Sequence, residues 1–289
     1  MMGYIKRWGR WLALWLLLLA LYGVDFWGLG LNPVLTGAPW ALLGMAVIDT
    51  AVMALLLSRL QGAGWRLATA VFLLFFGLKT ALVAVEAVYL PDVLPPEIVA
   101  PLLVNGLITA VLFSLAAVWL NGRWAAGEPI TLAPWPFSVI GWIGRLAAAG
   151  FLWMVLFVAI GLLVFRPVAQ ALDADTAVAY LAAFQPENPL LILLFQMARG
   201  ALWALLALPA LALLPGATWQ RGLLLGIVFA GWMSSGLLLP NDLLPATIWP
   251  AHLVEVVVEN LLFGLALAWL FRARATLPAN KPRLTIRPG

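Results

Sequence analysis

The last apolar run of the chain, AHLVEVVVENLLFGLALAWLFR from Ala251 to Arg272, carries His252, Glu255, Glu259 and Asn260 in its first turns. Spaced i, i+3 and i+7, His252, Glu255 and Glu259 fall on one helical face. A carboxylate in a lipid-length run costs up to about 3 kcal/mol on an insertion scale, against about 0.5 kcal/mol gained per Leu, Val or Phe. Such acids must face protein or water, where they can take up a proton, a cation or a polar solute. Asp49, Lys79, Glu86 and Arg199 are the other ionisable residues deep inside apolar runs. By depth, Asp49–Lys79 is expected as a structural ion pair and Arg199–Glu259 as a second pair. Lys79 and Glu86 share a face of their own run, and Glu86 lies near the level of Glu255.

Two catalytic chemistries can be tested against these residues. The string GWMSSG (231–236) sets Ser234 or Ser235 at the depth of His252, so a serine nucleophile with a histidine base is one candidate. His252, Glu255 and Glu259, joined by Glu86, form a candidate carboxylate-rich metal site. The chain has one histidine and no cysteine, which removes thiolate metal sites, disulfides and cysteine nucleophiles. No HExxH, P-loop, dinucleotide fingerprint or paired DxxxD motif occurs, and no cofactor is expected. The enzyme is therefore the alternative reading rather than the preferred one.

The elements that must position these residues are transmembrane helices. The 289 residues are 65% hydrophobic and 10% charged, with a mean hydropathy of +1.05, far from the composition of a soluble domain. Eight apolar spans are read at 11–30, 40–58, 67–90, 98–120, 146–165, 190–213, 222–239 and 252–271. The runs are continuous rather than alternating, which excludes a β-barrel. With the N-terminus in the cytoplasm, Lys6, Arg7, Arg10, Arg59, Arg66, Arg123, Arg145, Arg221 and the basic tail fall inside. The outer loops then carry Asp25, Asp92, Glu97, Asp173, Asp175, Glu187 and Asp242, with Arg166 as their base. Both termini are expected to be cytoplasmic, in a cell membrane of the bacterial inner or plasma type. The basic residues thus set topology and do not point to nucleic acid. No small-residue cleavage site follows the first run, which is read as retained. Trp8, Trp11, Trp27, Trp40, Trp65, Trp119, Trp219 and Trp249 fall near span ends, as in an aromatic belt.

An internal duplication organises the spans. The stretch from Tyr89 to Arg123 aligns with the one ending at Arg272 at an offset of about 150, matching Asp92 with Asp242, Pro95 with Pro245, and LFSLAAVWL (112–120) with LFGLALAWL (262–270). Asn105 then corresponds to Glu255 and Thr109 to Glu259, so both copies carry a polar i, i+4 pair. Two tandem four-helix repeats are inferred, 1–125 and 138–275, followed by a basic cytoplasmic tail, 276–289. Their even span number gives them one orientation about a pseudo-two-fold axis along the membrane normal. The second repeat holds an outer insertion, 166–189, in which Asp173 or Asp175 caps a helix with Val178, Leu181 and Phe184 toward one face. That helix is read as interfacial, with a lid over an outer cavity as the functional alternative.

The fold class expected is an all-α polytopic transmembrane bundle. Its expected function is that of a transporter or channel-like protein with an outward-opening acidic cavity, whose partners are the bilayer and a small solute, proton or cation. The binding residues put forward are Glu86, Asn105, Thr109, Arg199, Glu255, Glu259 and Asn260. A scaffold subunit is the remaining alternative: GLLLG (222–226) with Ala230 forms a stripe suited to homo- or hetero-oligomer packing through span seven. A reporter fused after Gly289 is expected to be active only in the cytoplasm; activity on the far side would invert the whole orientation.

Overall fold

Residues 2–25, 39–89, 99–125, 135, 137–183, 189–239 and 245–272 are described by a computed structural model, and their regular elements are all helical. In chain order these are α1 (Met2–Gly23), α2 (Pro39–Arg59), α3 (Gly64–Phe76), α4 (Leu82–Tyr89), α5 (Val99–Leu120), α6 (Val139–Ile160), α7 (Arg166–Leu172), α8 (Ala174–Ala183), α9 (Pro189–Leu213), α10 (Thr218–Ser235) and α11 (Trp249–Leu270). Asp92, Glu97, Phe184, Glu187, Asp242, Trp27, Pro95, the tail from 273 and the side chains of Lys6 and Arg7 lie outside the described residues.

Seven helical stretches are long and apolar enough to cross a membrane, the build of an integral membrane protein: Pro39–Arg59, Gly64–Glu86, Val99–Leu120, Val139–Leu172, Pro189–Leu213, Thr218–Leu238 and Trp249–Leu270. Helices suit lipid because each satisfies its backbone hydrogen bonds within the segment. The apolar part of α1, Trp8–Gly23, is shorter. It nonetheless packs on α2 and α5, and its Leu14, Leu18 and Tyr22, four residues apart, are buried. Large side chains such as Ile140, Leu163 and Trp40 stay exposed on the outside of the bundle, as lipid-facing residues must.

Two spans are interrupted by π turns that the apolar pattern does not announce. One runs from Gly77 to Ala81 and joins α3 to α4; the other runs from Gly161 to Phe165 and joins α6 to α7. In each, a backbone N–H reaches the carbonyl five residues back, Leu82 to Gly77 and Arg166 to Gly161. The fifth expected span also starts earlier, at Val139, where the Ser138 hydroxyl accepts from the Gly141 N–H at 3.2 Å.

Packing follows a regular scheme. The pairs α1–α2 and α6–α9, α1–α5 and α6–α11, and α3–α5 and α10–α11 are each in contact, as are α2–α10 and α3–α9. At the end of the bundle bearing Arg59, tight turns join α2 to α3 and α9 to α10. Gly62 and Gly216 take φ of 95° and 100° in them, values that disfavour any side chain. There Arg123 donates to the Leu57 and Gly62 carbonyls at 2.7 and 2.5 Å, and Arg221 donates to the Leu211 carbonyl at 2.7 Å. These arginines neutralise the exposed carbonyls at the ends of α2 and α9, a role beyond topology. Burial lowers the Arg123 guanidinium from its ordinary value.

The insertion forms α7 and α8. The Asp173 carboxylate caps α8, accepting from the Thr176 N–H at 3.1 Å and the Thr176 hydroxyl at 2.7 Å, contacts that hold its acid below the usual range. The buried face differs from the expected one. Ala177 is buried and Tyr180 and Leu181 pack beside it, on Phe165, Ile248 and Ala251, whereas Val178 is exposed. Trp249 also departs from the belt: its indole N–H donates to the Leu237 carbonyl at 2.6 Å, closing the turn before α11.

The small residues of α10 are used inside the chain. A Cβ added at Gly226 would stand 2.6 Å from the Leu261 carbonyl oxygen, and one at Gly264 would meet the Gly226 backbone. Gly264→Ala is therefore expected to lower the thermal midpoint in detergent, with an overpacking cost of about 1–3 kcal/mol. Gly9→Ala, where nothing lies within 4 Å, should raise it slightly through helix propensity. Equal responses at the two positions would remove the close-approach explanation.

Candidate functional site

Asp49, half-way along α2, is fully buried. A charge there must find partners within the protein, because the hydrocarbon offers none. Lys79 supplies one from the first π turn, with Nζ 3.1 Å from Asp49 Oδ2. The Tyr22 hydroxyl of α1 donates to the same oxygen at 2.5 Å, and Ser235 Oγ of α10 donates to Oδ1 at 2.6 Å. Lys79 Nζ also donates to Ser235 Oγ at 2.7 Å and to the Trp232 carbonyl at 3.2 Å. The Trp232 indole N–H donates back to the Asp49 carbonyl at 3.2 Å. Charge and hydrogen-bonding capacity are thus closed within four helices, α1, α2, α3 with its π turn, and α10.

Among the described contacts, none joins Ser234 or Ser235 to His252. Ser235 is fully buried with its proton directed at Asp49, and Ser234 Oγ donates to the Gly231 carbonyl at 3.4 Å. His252 is engaged elsewhere: Nδ1 lies 2.7 Å from Glu255 Oε2, and its ring meets Phe165 edge-on at 6.1 Å.

Next to the network lies a cavity of about 470 Å³. Its wall takes Tyr22 and Asp25 from the end of α1, Met45 from α2, Phe75 from α3, Lys79 from the π turn and Glu86 from α4. Asn105 and Thr109 come from α5, Trp153 from α6, Arg199 and Trp203 from α9, Met233 from α10, and His252, Glu255, Glu259 and Asn260 from α11. The seven binding candidates therefore line one cavity together, whereas Asp49, Ser234 and Ser235 lie outside its lining.

Within the cavity the pairing differs from expectation. Arg199 Nη1 meets Glu86 Oε1 at 2.5 Å, and no ion pair joins it to Glu259. The π turn explains the exchange. It closes on i+5 rather than i+4 and so rotates α4 relative to α3, carrying Glu86 onto α9. The Arg199 guanidinium stands 5.2 Å from the Trp203 ring centre and 5.7 Å from that of Trp153, within cation–π range. Thr109 Oγ1 donates to Asp25 Oδ2 at 2.8 Å. Glu259 makes no hydrogen bond or ion pair among the described residues, and its Oε1 is buried without a partner. Asn105 Nδ2, Arg199 Nε and Asn260 Oδ1 are likewise buried and unpartnered, the Asn260 amide nitrogen being spent on the Val256 carbonyl at 2.8 Å.

The candidate metal set is not assembled. His252 and Glu255 meet, Glu259 does not join them, and among the described residues no three His, Asp or Glu side chains converge to hold an ion. Tyr180 of α8 lies within the electrostatic reach of Glu255. Burial, aided by the Glu255 charge, pushes its phenol up to about 12.

Sequence reasoning missed Tyr22, Asp25 and the aromatic walls. Tyr22 and Asp25 stand one turn apart at the end of an apolar run, where Asp25 reads as a loop acid. Trp153 and Trp203 read as ordinary membrane aromatics. No protein-family model, no curated protein and no solved structure matches this chain.

The Asp49 network predicts strong coupling. Asp49→Asn leaves the Lys79 ammonium without its counter-charge and should destabilise by about 3–5 kcal/mol, while the double variant Asp49→Asn, Lys79→Met should recover most of the loss. Thermal unfolding of the four proteins in detergent reads the coupling, and additive single effects would show that the pair is not a lock.

Proposed function

We propose that this protein is a multi-pass membrane transporter or channel-like protein for a small solute or cation, in a cell membrane of the bacterial inner-membrane type. Its path is the cavity between two tandem four-helix repeats. The observation that carries the reading is the composition of the cavity wall. At an offset of 150, Leu102 pairs with His252, Asn105 with Glu255, Gly106 with Val256, and Thr109 with Glu259, and all eight residues line the cavity. A pseudo-two-fold axis through the cavity accounts for this, and membrane transporters with parallel repeats hold their sites in such a position.

Further features support the repeats. The contacts α1–α2, α1–α5 and α3–α5 of the first half have counterparts in α6–α9, α6–α11 and α10–α11, and the crossed contacts α2–α10 and α3–α9 are related in the same way. The tight turns at Gly62 and Gly216, which follow α2 and α9, correspond. We count α1 as the eighth span, since its 22 residues measure about 33 Å at the α-helical rise, enough for the hydrocarbon core. Eight spans leave both termini on the cytoplasmic side. The outward opening is supported by exposure along the lining, which reaches 28% at the Glu86 side chain and 32% at His252 but falls to 11% at Lys79.

The absence of cysteine permits a direct test. Asn105→Cys and Val256→Cys are expected to react with a membrane-impermeant thiol reagent added outside intact cells, and also in inside-out vesicles as the path alternates. Met53→Cys, at a fully buried core position, should stay unlabelled from either face. Labelling from the outer face alone would leave a closed binding pocket and overturn the transport reading.

A further inference from the structure

The unpartnered atoms in the cavity describe a ligand. Asn260 Oδ1 and Glu259 Oε1, on successive residues of α11, are both acceptors in side chains that are 1% and 5% exposed. Buried acceptors in membrane interiors are normally satisfied by the protein, since the hydrocarbon cannot do it. Two adjacent exceptions lining one cavity point to a donor that arrives from outside the chain.

Charge states what kind of donor it is. Two cations line the cavity, and both are taken: Lys79 by Asp49 and Arg199 by Glu86. Asp25 is bonded to Thr109 and Glu255 faces His252. Among the described carboxylates of the lining, Glu259 is the one with neither a hydrogen bond nor an ion pair. A neutral solute would leave that charge uncompensated, and an anion would add to it.

Size and wall chemistry state the rest. A bare metal cation requires several oxygen ligands converging on one point, and no three His, Asp or Glu side chains among the described residues converge in that way. The volume of about 470 Å³ is that of an organic ligand site. Trp153 and Trp203 form an aromatic wall on which an apolar body can rest. On the opposite wall, Asn105 Nδ2 is free to donate to a hydroxyl or carbonyl of the ligand.

We infer that the cavity binds a small organic amine in its protonated form, with the ammonium group between Glu259 and Asn260 and the apolar body against Trp153 and Trp203. The inference rests on the cavity being a solute path, and it names the class of solute. An ammonium group carries three donors and one positive charge, which matches a pair of unpartnered acceptors of which one is a carboxylate.

The test uses the purified full chain in detergent, with thermal midpoint and ligand titration as readouts. The probes are phenethylamine, its neutral counterpart phenethyl alcohol, phenylacetate, and sodium or potassium chloride at matched ionic strength. Phenethylamine is expected to raise the midpoint saturably, while the alcohol and the acid do not. Glu259→Gln should weaken amine binding by about tenfold to a hundredfold, the weight of a charged hydrogen bond, and leave the unliganded midpoint near that of the wild type. If Glu259→Gln fails to fold, Glu259→Asp keeps the charge but withdraws it, and should weaken the amine while preserving its preference over the alcohol. Equal stabilisation by amine and alcohol overturns the inference, as does stabilisation by sodium or potassium alone. No response to any probe, or an unchanged affinity in Glu259→Gln, overturns it too. None of these results bears on thiol accessibility of the cavity, so failure of the ligand class and failure of the transport reading remain separable.

Discussion

A single buried carboxylate constrains most of this structure. Asp49 has no access to water, so its charge is tolerable only where cation and hydrogen-bond donors surround it. Four partners come from three elements: Lys79 from the first π turn, Tyr22 from α1, and from α10 both Ser235 and the Trp232 indole, the latter on the Asp49 carbonyl. Each contact fixes a helix at hydrogen-bond distance from α2, and α10 carries α11 with it through the glycine contacts at Gly226 and Gly264. The π turn belongs to the same constraint, because it sets both the reach of Lys79 toward Asp49 and the rotation that brings Glu86 to Arg199.

Much of the site was legible because ionisable residues are rare in lipid-length runs. Each one must face protein or water, so residue type alone places Glu86, Arg199, Glu255 and Glu259 toward the bundle interior. The sequence match at an offset of 150 extended this to Asn105 and Thr109, which carry no charge and would otherwise pass as packing residues. Partner choice was not legible. Depth counting set Arg199 opposite Glu259, but the rotation introduced at Gly77–Ala81 has no mark in the sequence beyond one glycine, and it decides the pairing. Seven of the eight expected spans were readable from hydropathy, whereas the cavity roles of Tyr22 and Asp25 were not. Apolar patterning runs out at the membrane edge, where an acid reads equally as a loop residue.

The arginines show how a general rule can conceal a specific one. Their placement satisfies the positive-inside rule, which asks only that they lie on one side. The structure uses Arg123, Arg145 and Arg221 individually, each donating to carbonyls at the end of another helix, Leu57, Leu270 and Leu211 respectively. Topology and helix capping are served by one residue type at one level, and a charge count cannot tell them apart.

On the repeat reading, divergence between the copies is what makes the buried charges tolerable. Asp49 and Arg199 occupy equivalent positions at the offset of 150. Identical copies would set two like charges across the axis, each needing its own counter-ion in the same small volume. Opposite signs allow each to be settled by a different partner, Asp49 by Lys79 and Arg199 by Glu86, and Arg199 thereby ties the second half to the first. The fourth helices diverge in the other sense. Asn105 and Thr109 stay neutral, while Glu255 and Glu259 are acids, yet the first half still presents a carboxylate there because Asp25 of the α1 terminus bonds to Thr109. Both walls are therefore acidic, through different helices. The cations Lys79 and Arg199 are already committed to Asp49 and Glu86, and this is why carboxyl groups without an ionic partner remain among the described residues of the lining.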